Sequence, residues 1–500
     1  MSVKTRIVIS ANEWETRVGI IEDDRLVEFY VEREESRNLV GRVYKGRVEN
    51  VVPGLRGAFV NVGLRKNGFL PLNEIPEFDT LDDEDDGTEK NRDKDSQGRP
   101  RTISLNEGED ILVQVVKDPF AEKGARLTSY VSIPGRYLVY FPNAERIGVS
   151  RRISDRRERT RLRAAARRFK SRHAGLIIRT VAEKARPEEL AEEYRQLEQT
   201  WETIRARAEP AKPPAVVYDE PSIGVKLVRD LFTGEVEKVV VDSEERHGEI
   251  LAYLDQVAPK LKRKVELYRG EVPLLEQAGI EAELDRVFQK RLWLKSGGFI
   301  TIDQTEAMVA IDVNTGRSSK EDDPERLIFS TNIEAAAEIA RQIRLRDLAG
   351  LLIIDFIDMD DPKNTEKVVQ ELRTQLANDR AKADYSRMSR FGLLEMTRER
   401  TRPGMMYAMC ETCPTCKGSG RVRSRAEVAM KIERAVLARL PRIAGRRIRV
   451  LAAPWVTDYL TADWYDRLAE FARRYRLAID VKTDYQIQPT DFRLLVEYSE

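Results

Sequence analysis

Between Ser296 and Met359 the spacing of apolar residues changes twice, and each change marks an element. Phe299 to Asp303 alternates apolar with polar, breaks at Gln304-Thr305-Glu306, and resumes as Met308 to Asp312. A two-residue period on either side of a short polar break predicts a β-hairpin. After a polar loop, Ile333, Ala336, Ala337, Ala340 and Ile343 recur at helical spacing, which predicts an amphipathic helix capped near Thr331 or Asn332. Leu351 to Ile354 is then a continuous apolar run, the pattern of a strand covered on both faces, and it ends in Asp355.

The same reading divides the rest of the chain. Residues 1–37 read as strands with a hairpin at Asp23-Asp24, and residues 225–288 alternate strand and helix. Residues 38–128 carry short alternating strands between Gly and Pro turns, which predicts a small β-barrel. There Ala58, Val60 and Val62 share one face, while Phe59 and Asn61 share the other. Residues 77–101 are polar without apolar period and read as a mobile surface loop interrupting the barrel. Residues 129–224 hold an Arg-dense run from Arg151 to Arg172, a buried strand ahead of Arg179 and Thr180, a helix over about Pro187 to Ala208, and a Pro-rich linker. Residues 421–500 read as a small α+β unit with helices over about Arg425 to Arg439 and around Leu460 to Tyr475.

Composition narrows the chemistry. Lys and Arg total 86 against 85 Asp and Glu, a formal charge of +1, so any field that attracts nucleic acid must come from local segregation of charge. With two histidines in 500 residues, His173 and His247, histidine general-base schemes and multi-histidine metal sites are nearly excluded. Two short carboxylates, Asp312 and Asp355, instead fall where apolar strands end. Hard oxygen donors there suit Mg²⁺ or Mn²⁺, with water and substrate phosphate completing the shell; the plain alternative is that each Asp merely ends its strand. An Arg fork beside a hydroxyl, as at Arg179-Thr180, suits a terminal phosphate. All three cysteines lie between Cys410 and Cys416, which argues for metal binding over a disulfide scaffold. A closed zinc site needs four ligands. Either Cys410 joins Cys413 and Cys416 with a non-cysteine ligand, or two chains contribute two thiolates each. No secretory apolar segment and no run long enough to span a membrane is present, and the expectation is a soluble cytoplasmic protein.

Three strings carry a resemblance: AIDVNTG from Ala310, TNIEAAAEIARQIRLRDLAGLLIIDFIDM from Thr331, and SRFGLLEMTRER from Ser389. In order and spacing they resemble the catalytic region of the bacterial ribonuclease E/G family, and the likeness extends over nearly the whole chain. It implies a multidomain α+β fold. The parts would be a ribonuclease-H-like subdomain (1–37 with 225–288), an S1 domain of OB type (38–128), a 5′-sensor region (129–224), a DNase I-like catalytic subdomain (289–403), a zinc-link (404–420) and a small C-terminal oligomerisation domain (421–500).

The resemblance also implies roles. Asp312 and Asp355 match the family's Mg²⁺-holding aspartates and Asn314 its assisting asparagine. Phe59, Phe69 and Lys123 match positions that contact single-stranded RNA. Gly135, Val139, Arg151, Arg179 and Thr180 match a pocket that senses a 5′-monophosphate. That pocket often draws one more arginine from the catalytic region; here Lys382 stands there and keeps the charge without the bidentate fork, so weaker end sensing is expected. Cys413 and Cys416 match a motif in which two chains share one Zn²⁺, implying a homodimer, and the C-terminal unit would serve dimer or tetramer contacts. The chain stops at Glu500 without the long disordered tail of some members, so it resembles the shorter members or a bare catalytic half. The implied activity is Mg²⁺-dependent endonucleolytic cutting of single-stranded RNA in RNA processing and decay, leaving 5′-phosphate and 3′-hydroxyl ends. A non-catalytic S1-type RNA-binding or assembly protein is the alternative, and the presence of Asp312, Asn314 and Asp355 argues against it.

Overall fold

The computed structural model describes residues 4–33, 38–72, 105–119, 123–232, 235–316, 323–400, 402, 404–443 and 447–497. The polar segment 77–101 lies outside them. The chain divides into two compact units, Met1–Ala408 and Met409–Glu500.

The first unit begins with an antiparallel meander, β1 (Thr5–Ala11), β2 (Glu15–Glu22) and β3 (Arg25–Arg33). Asp23 and Asp24, both at positive φ, make the tight hairpin between β2 and β3. Five strands then close a barrel: β4 (Val43–Val52), β5 (Gly57–Asn61), β6 (Gly68–Pro71), β7 (Asp110–Lys117) and β8 (Arg126–Thr128), in the order β4-β5-β6-β8-β7, with β7 returning to β4. Ala58 and Val60 are wholly buried inside it beside Leu70, Val113 and Leu127, so the alternation in β5 sets the wall as its sequence predicts.

Next come β9 (Ile133–Pro134), β10 (Leu138–Phe141), β11 (Ile147–Val149), α1 (Arg156–Phe169), β12 (Gly175–Ile178) and α2 (Pro187–Ala208). These strands form a sheet in the order β11-β12-β10-β9, with both helices packed on its core. The short β13 (Ala215–Tyr218) returns to pair with β4. The chain then rejoins the opening meander. After α3 (Ile223–Leu231), β14 (Val236–Val241) runs parallel to β1; α4 (Glu244–Val257) leads to β15 (Val265–Leu267), which completes a five-stranded sheet in the order β15-β14-β1-β2-β3.

Two short helices, α5 (Leu274–Gln277) and α6 (Ile280–Val287), lead to the sheet that carries the acidic residues. It consists of β16 (Arg291–Trp293), β17 (Phe299–Gln304), β18 (Met308–Asn314), β19 (Gly350–Asp355), β20 (Ala383–Tyr385) and β21 (Leu393–Arg398), ordered β16-β17-β18-β19-β21-β20. Helices α7 (Pro324–Arg346) and α8 (Pro362–Gln375) pack on one face, where Ile300, Ile311, Ile354, Ala336, Ile339, Ile343, Val368 and Leu372 form the core.

Two expectations are corrected here. Helix α7 starts at Pro324 behind the Asp323 N-cap, well before Thr331, because a capping Asp followed by Pro is itself a strong start signal. Thr331 and Asn332 lie inside the helix and are fully buried. The run Leu351–Ile354 is covered on one face only: Leu352 and Ile354 are wholly buried, while Leu351 is 38% exposed. Among the described residues the other face carries exposed positions, Leu351, Asp312 and Asp355 included, so its acids can meet solvent.

The second unit follows α9 (Met405–Met409), which straddles the boundary. It holds α10 (Arg425–Leu437), α11 (Leu440–Ile443), β22 (Arg447–Ala452), α12 (Pro454–Thr461), α13 (Tyr465–Tyr475), β23 (Ala478–Thr483) and β24 (Phe492–Glu497), with β22 central in the order β23-β22-β24. The helix expected around Leu460 to Tyr475 is two helices, since the backbone leaves helical geometry at Ala462.

Candidate active site

Strands β18 and β19 run parallel, and their register makes Asp312 the direct partner of Asp355. Paired residues on neighbouring strands stand about 4.8 Å apart at the backbone and point to the same face. Both aspartates are exposed, while the residues flanking them, Ile311, Val313, Ile354 and Phe356, are buried. Asn314 follows Asp312 on the same face, and its Nδ2 donates to Asp312 Oδ2 at 2.7 Å. Partial desolvation at the sheet surface raises the Asp355 carboxyl above its ordinary range, and the charges of Asp312 and Asp358 push it the same way.

Helix α7 pins the loops that hold these strand ends. Asn332 Nδ2 donates to the Ile357 carbonyl at 2.8 Å and its Oδ1 accepts from Ile357 N at 3.1 Å, which fixes the turn just after Asp355. Glu334 accepts from the backbone N–H groups of Lys295 and Ser296, ahead of β17. Gly316, at φ +64, lets the chain beyond Asn314 approach the Gly297 carbonyl, where a Cβ would lie 2.2 Å from that oxygen. Sequence reasoning missed Asn332 and Glu334. The signal was present in the polar pair of TNIE, but it resembles a helix cap.

Two hard, exposed carboxylates side by side, one held by an amide, fit an ion of the Mg²⁺ type. Such an ion takes one or two carboxylates and fills the rest of its shell with water and substrate oxygens. Among the described residues no three His, Cys, Asp or Glu side chains gather into a group that could hold a metal ion.

On the barrel wall, Phe59 and Phe69 are direct partners on β5 and β6, half-buried, with ring centroids 5.6 Å apart and planes tilted by 59°. Gly124 passes so close to the Asn67 carbonyl that a Cβ would sit 2.0 Å from it, which brings exposed Lys123 alongside the turn before Phe69. The barrel therefore gathers Phe59, Phe69 and Lys123.

Around β12, Arg179 Nη1 donates to the Gly135 carbonyl at 2.7 Å and to Asp230 at 2.8 Å, and Thr180 Oγ1 lies 2.9 Å from Ser150 Oγ. Val139 pairs with Ile177 in the neighbouring strand. Arg151 is exposed, and its neighbour Arg152 donates to the carbonyls of Asp379 and Arg380, docking the segment that leads to Lys382 against this sheet. Gly135 and Arg179 are thus in contact, Thr180 follows Arg179, and Val139 and Arg151 lie on neighbouring segments, with the Arg179 guanidinium already engaged by a carboxylate. A cavity of about 470 Å³ lies elsewhere, between the barrel and α2, lined by Lys45, Asp110, Leu112, Arg205 and Glu209 among others.

In the second unit Cys413 and Cys416 sit on one tight turn, in which Lys417 N donates to Cys413 O at 2.8 Å. The backbone N–H groups of Cys416 and Thr415 and the Cys416 thiol converge on the Cys413 sulfur and hold its pKa below the usual thiol range.

The fold and these sites define a mixed α/β multidomain protein built around a closed five-stranded barrel and an open acidic sheet. A model of the ribonuclease E/G family matches residues 132–401, and one for the RNase E/G thioredoxin-like domain matches residues 412–497. Ribonuclease G of Haemophilus influenzae is 37% identical over 485 residues, 96% of this chain and 97% of that protein. Ribonuclease G of Escherichia coli K12 is 36% identical over 97% of both chains. Ribonuclease E of Haemophilus influenzae is 34% identical over 98% of this chain but 52% of its own length. The chain belongs to the ribonuclease E/G family.

Proposed function

We propose that this protein is an endoribonuclease that cuts single-stranded RNA at the open face of the β16–β21 sheet. The observation that carries the reading is the in-register pair Asp312–Asp355, exposed beside Asn314, in a chain of this family. Asp312 and Asp355 would hold Mg²⁺. When bound, such an ion supplies a nucleophile by acidifying water and stabilises charge on the attacked phosphate, which leaves 5′-phosphate and 3′-hydroxyl ends. Asn314 keeps one Asp312 oxygen turned and leaves the other free for the ion. Phe59 and Phe69 offer ring faces to unpaired bases and Lys123 offers a charge to a phosphate.

The cluster of Gly135, Val139, Arg151, Arg179 and Thr180 would take a 5′-monophosphate and stimulate cutting, with Lys382 as the auxiliary cation. The Arg179–Asp230 pair and the loss of an arginine fork at Lys382 both favour a modest stimulation. Cys413 and Cys416 make half of a tetrahedral thiolate site, so two chains sharing one Zn²⁺ would close it.

The test is cleavage of a short RNA carrying a 5′-monophosphate or a 5′-hydroxyl, with Mg²⁺ or with chelator. Internal cuts only with Mg²⁺, faster on the monophosphate, are expected. Asp312→Asn or Asp355→Asn should abolish cutting while RNA binding survives. Parallel loss of binding and cutting would overturn the metal assignment.

A further inference from the structure

One surface beside the acids has no part in the scheme above. Strand β16 is the edge of the sheet, and its register with β17 pairs Arg291 with Thr301 and Trp293 with Phe299. Strand β17 in turn pairs Thr301 with Asp312 and Phe299 with Asn314. Side chains at paired positions share a face. Trp293, Phe299 and Asn314 therefore form one row across the open face, and Arg291, Thr301, Asp312 and Asp355 form the next. The buried neighbours Leu292, Ile300 and Val313 point the opposite way, into the core.

Trp293 is 66% exposed although large apolar side chains are mostly covered. Its ring meets Phe299 at 5.3 Å between centroids and 62° between planes. The Arg291 guanidinium carbon lies 4.4 Å from the centre of the Phe299 ring. An indole open to solvent, braced by a second ring and flanked by a cation, is the combination that holds a nucleobase and its phosphate. Its position, two strands from Asn314 or roughly 10 Å, suits a nucleotide next to the one being cut.

We propose that Trp293, Phe299 and Arg291 form a subsite that stacks a base of single-stranded RNA beside the phosphate handled at Asp312 and Asp355. The inference rests on the RNA-cutting reading and assigns part of its substrate track. Trp293 supplies the ring face, Phe299 fixes its tilt, and Arg291 attracts the neighbouring phosphate.

The experiment measures binding of a short single-stranded RNA by anisotropy in an Asp355→Asn background, and cleavage in the otherwise native chain. Trp293→Ala is expected to weaken binding roughly five- to hundredfold, and Trp293→Phe to restore most of it. Because stacking is not ionic, Trp293→Ala should leave the salt dependence unchanged, whereas Arg291→Ala should reduce its slope by about one. An abasic ribose scanned through the RNA should weaken native-ring binding sharply at one position next to the cut, and add nothing there once Trp293 is Ala. Equal binding and cutting by Trp293→Ala, or identical abasic penalties in both proteins, would overturn the subsite and leave the nuclease intact. A change in sedimentation with unaltered RNA binding would also overturn it, by making the patch a contact between copies. The converse result, a Trp293-dependent abasic penalty in a protein that cuts no RNA, would keep the subsite and remove the nuclease.

Discussion

Asn332 sits at the smallest scale on which the site can be broken without touching an acid. Its carboxamide satisfies both the N–H and the C=O of Ile357, and the side chain is fully buried. Asn332→Ala would strand both backbone groups, a cost of about 1–3 kcal/mol for each buried group left unpaired. The turn after Asp355 would then loosen. We expect kcat to fall about 10- to 100-fold with KM nearly unchanged, since small misplacements of catalytic groups are that expensive. Steady-state kinetics on a short RNA checks this, and a matched loss of affinity would count against it. At this scale the place of the acids at the strand ends was legible and the contacts that brace them were not. Asp312 and Asp355 stand out because each ends an apolar run, whereas Asn332 bonds to a backbone 25 residues away that no local pattern encodes.

Elements in this sheet are tied at their ends by buried charge. Arg398, on β21, donates to Asp347 at 2.7 Å and to Asp379 at 2.6 Å, and all three side chains are at most 4% exposed. Asp347 caps the C-terminus of α7 in a left-handed conformation, and Asp379 follows α8, so one guanidinium fastens both helices to the sheet. Replacing Arg398 by Met would leave two buried carboxylates facing apolar atoms, and should cost about 3–5 kcal/mol, read as a lower urea midpoint. The hairpin β17–β18 follows directly from its alternation. The face coverage of β19 does not, because a continuous apolar run fits a strand with one half-open face as well as one buried on both. Which face stays open depends on where α7 and α8 pack, and that is a property of the assembled sheet.

Over the whole first unit, the opening meander is joined to the acidic sheet through Glu28. Arg344 donates to it at 3.1 Å, Arg380 bonds it closely, and the Arg402 guanidinium lies 3.7 Å from the centre of the adjacent Tyr30 ring. Burial alone would raise the Glu28 carboxyl, but Arg380, Arg344 and Arg402 outweigh it and hold the pKa below the ordinary 4.5. A carboxyl depressed on folding stabilises the protein fully above its unfolded value and loses that contribution as pH falls toward the folded one. Thermal midpoints should therefore drop as pH falls below about 4.5, and Glu28→Gln should be less stable at neutral pH with a shallower acid limb. At the scale of the assembly, the proposed sharing of one Zn²⁺ by two chains predicts one Zn²⁺ per two native chains and a dimer in sedimentation, and Cys413→Ser or Cys416→Ser should then give monomers. The cysteine pair proposed as half a zinc site is visible in the sequence as a spacing; the Glu28 network was not visible, because its arginines lie 316 to 374 positions from their partner.

The open face has a pharmacological consequence. A drug-sized molecule binds well when walls cover most of its surface. Among the described residues both acids are exposed at the sheet surface, and the cavity near Lys45 and Arg205 is elsewhere. Compact inhibitors aimed at Asp312 and Asp355 would stay wet on most sides. Blockade of this surface calls for ligands as long and flat as the RNA strand proposed to lie there, anchored by an aromatic plane and chelating oxygens together.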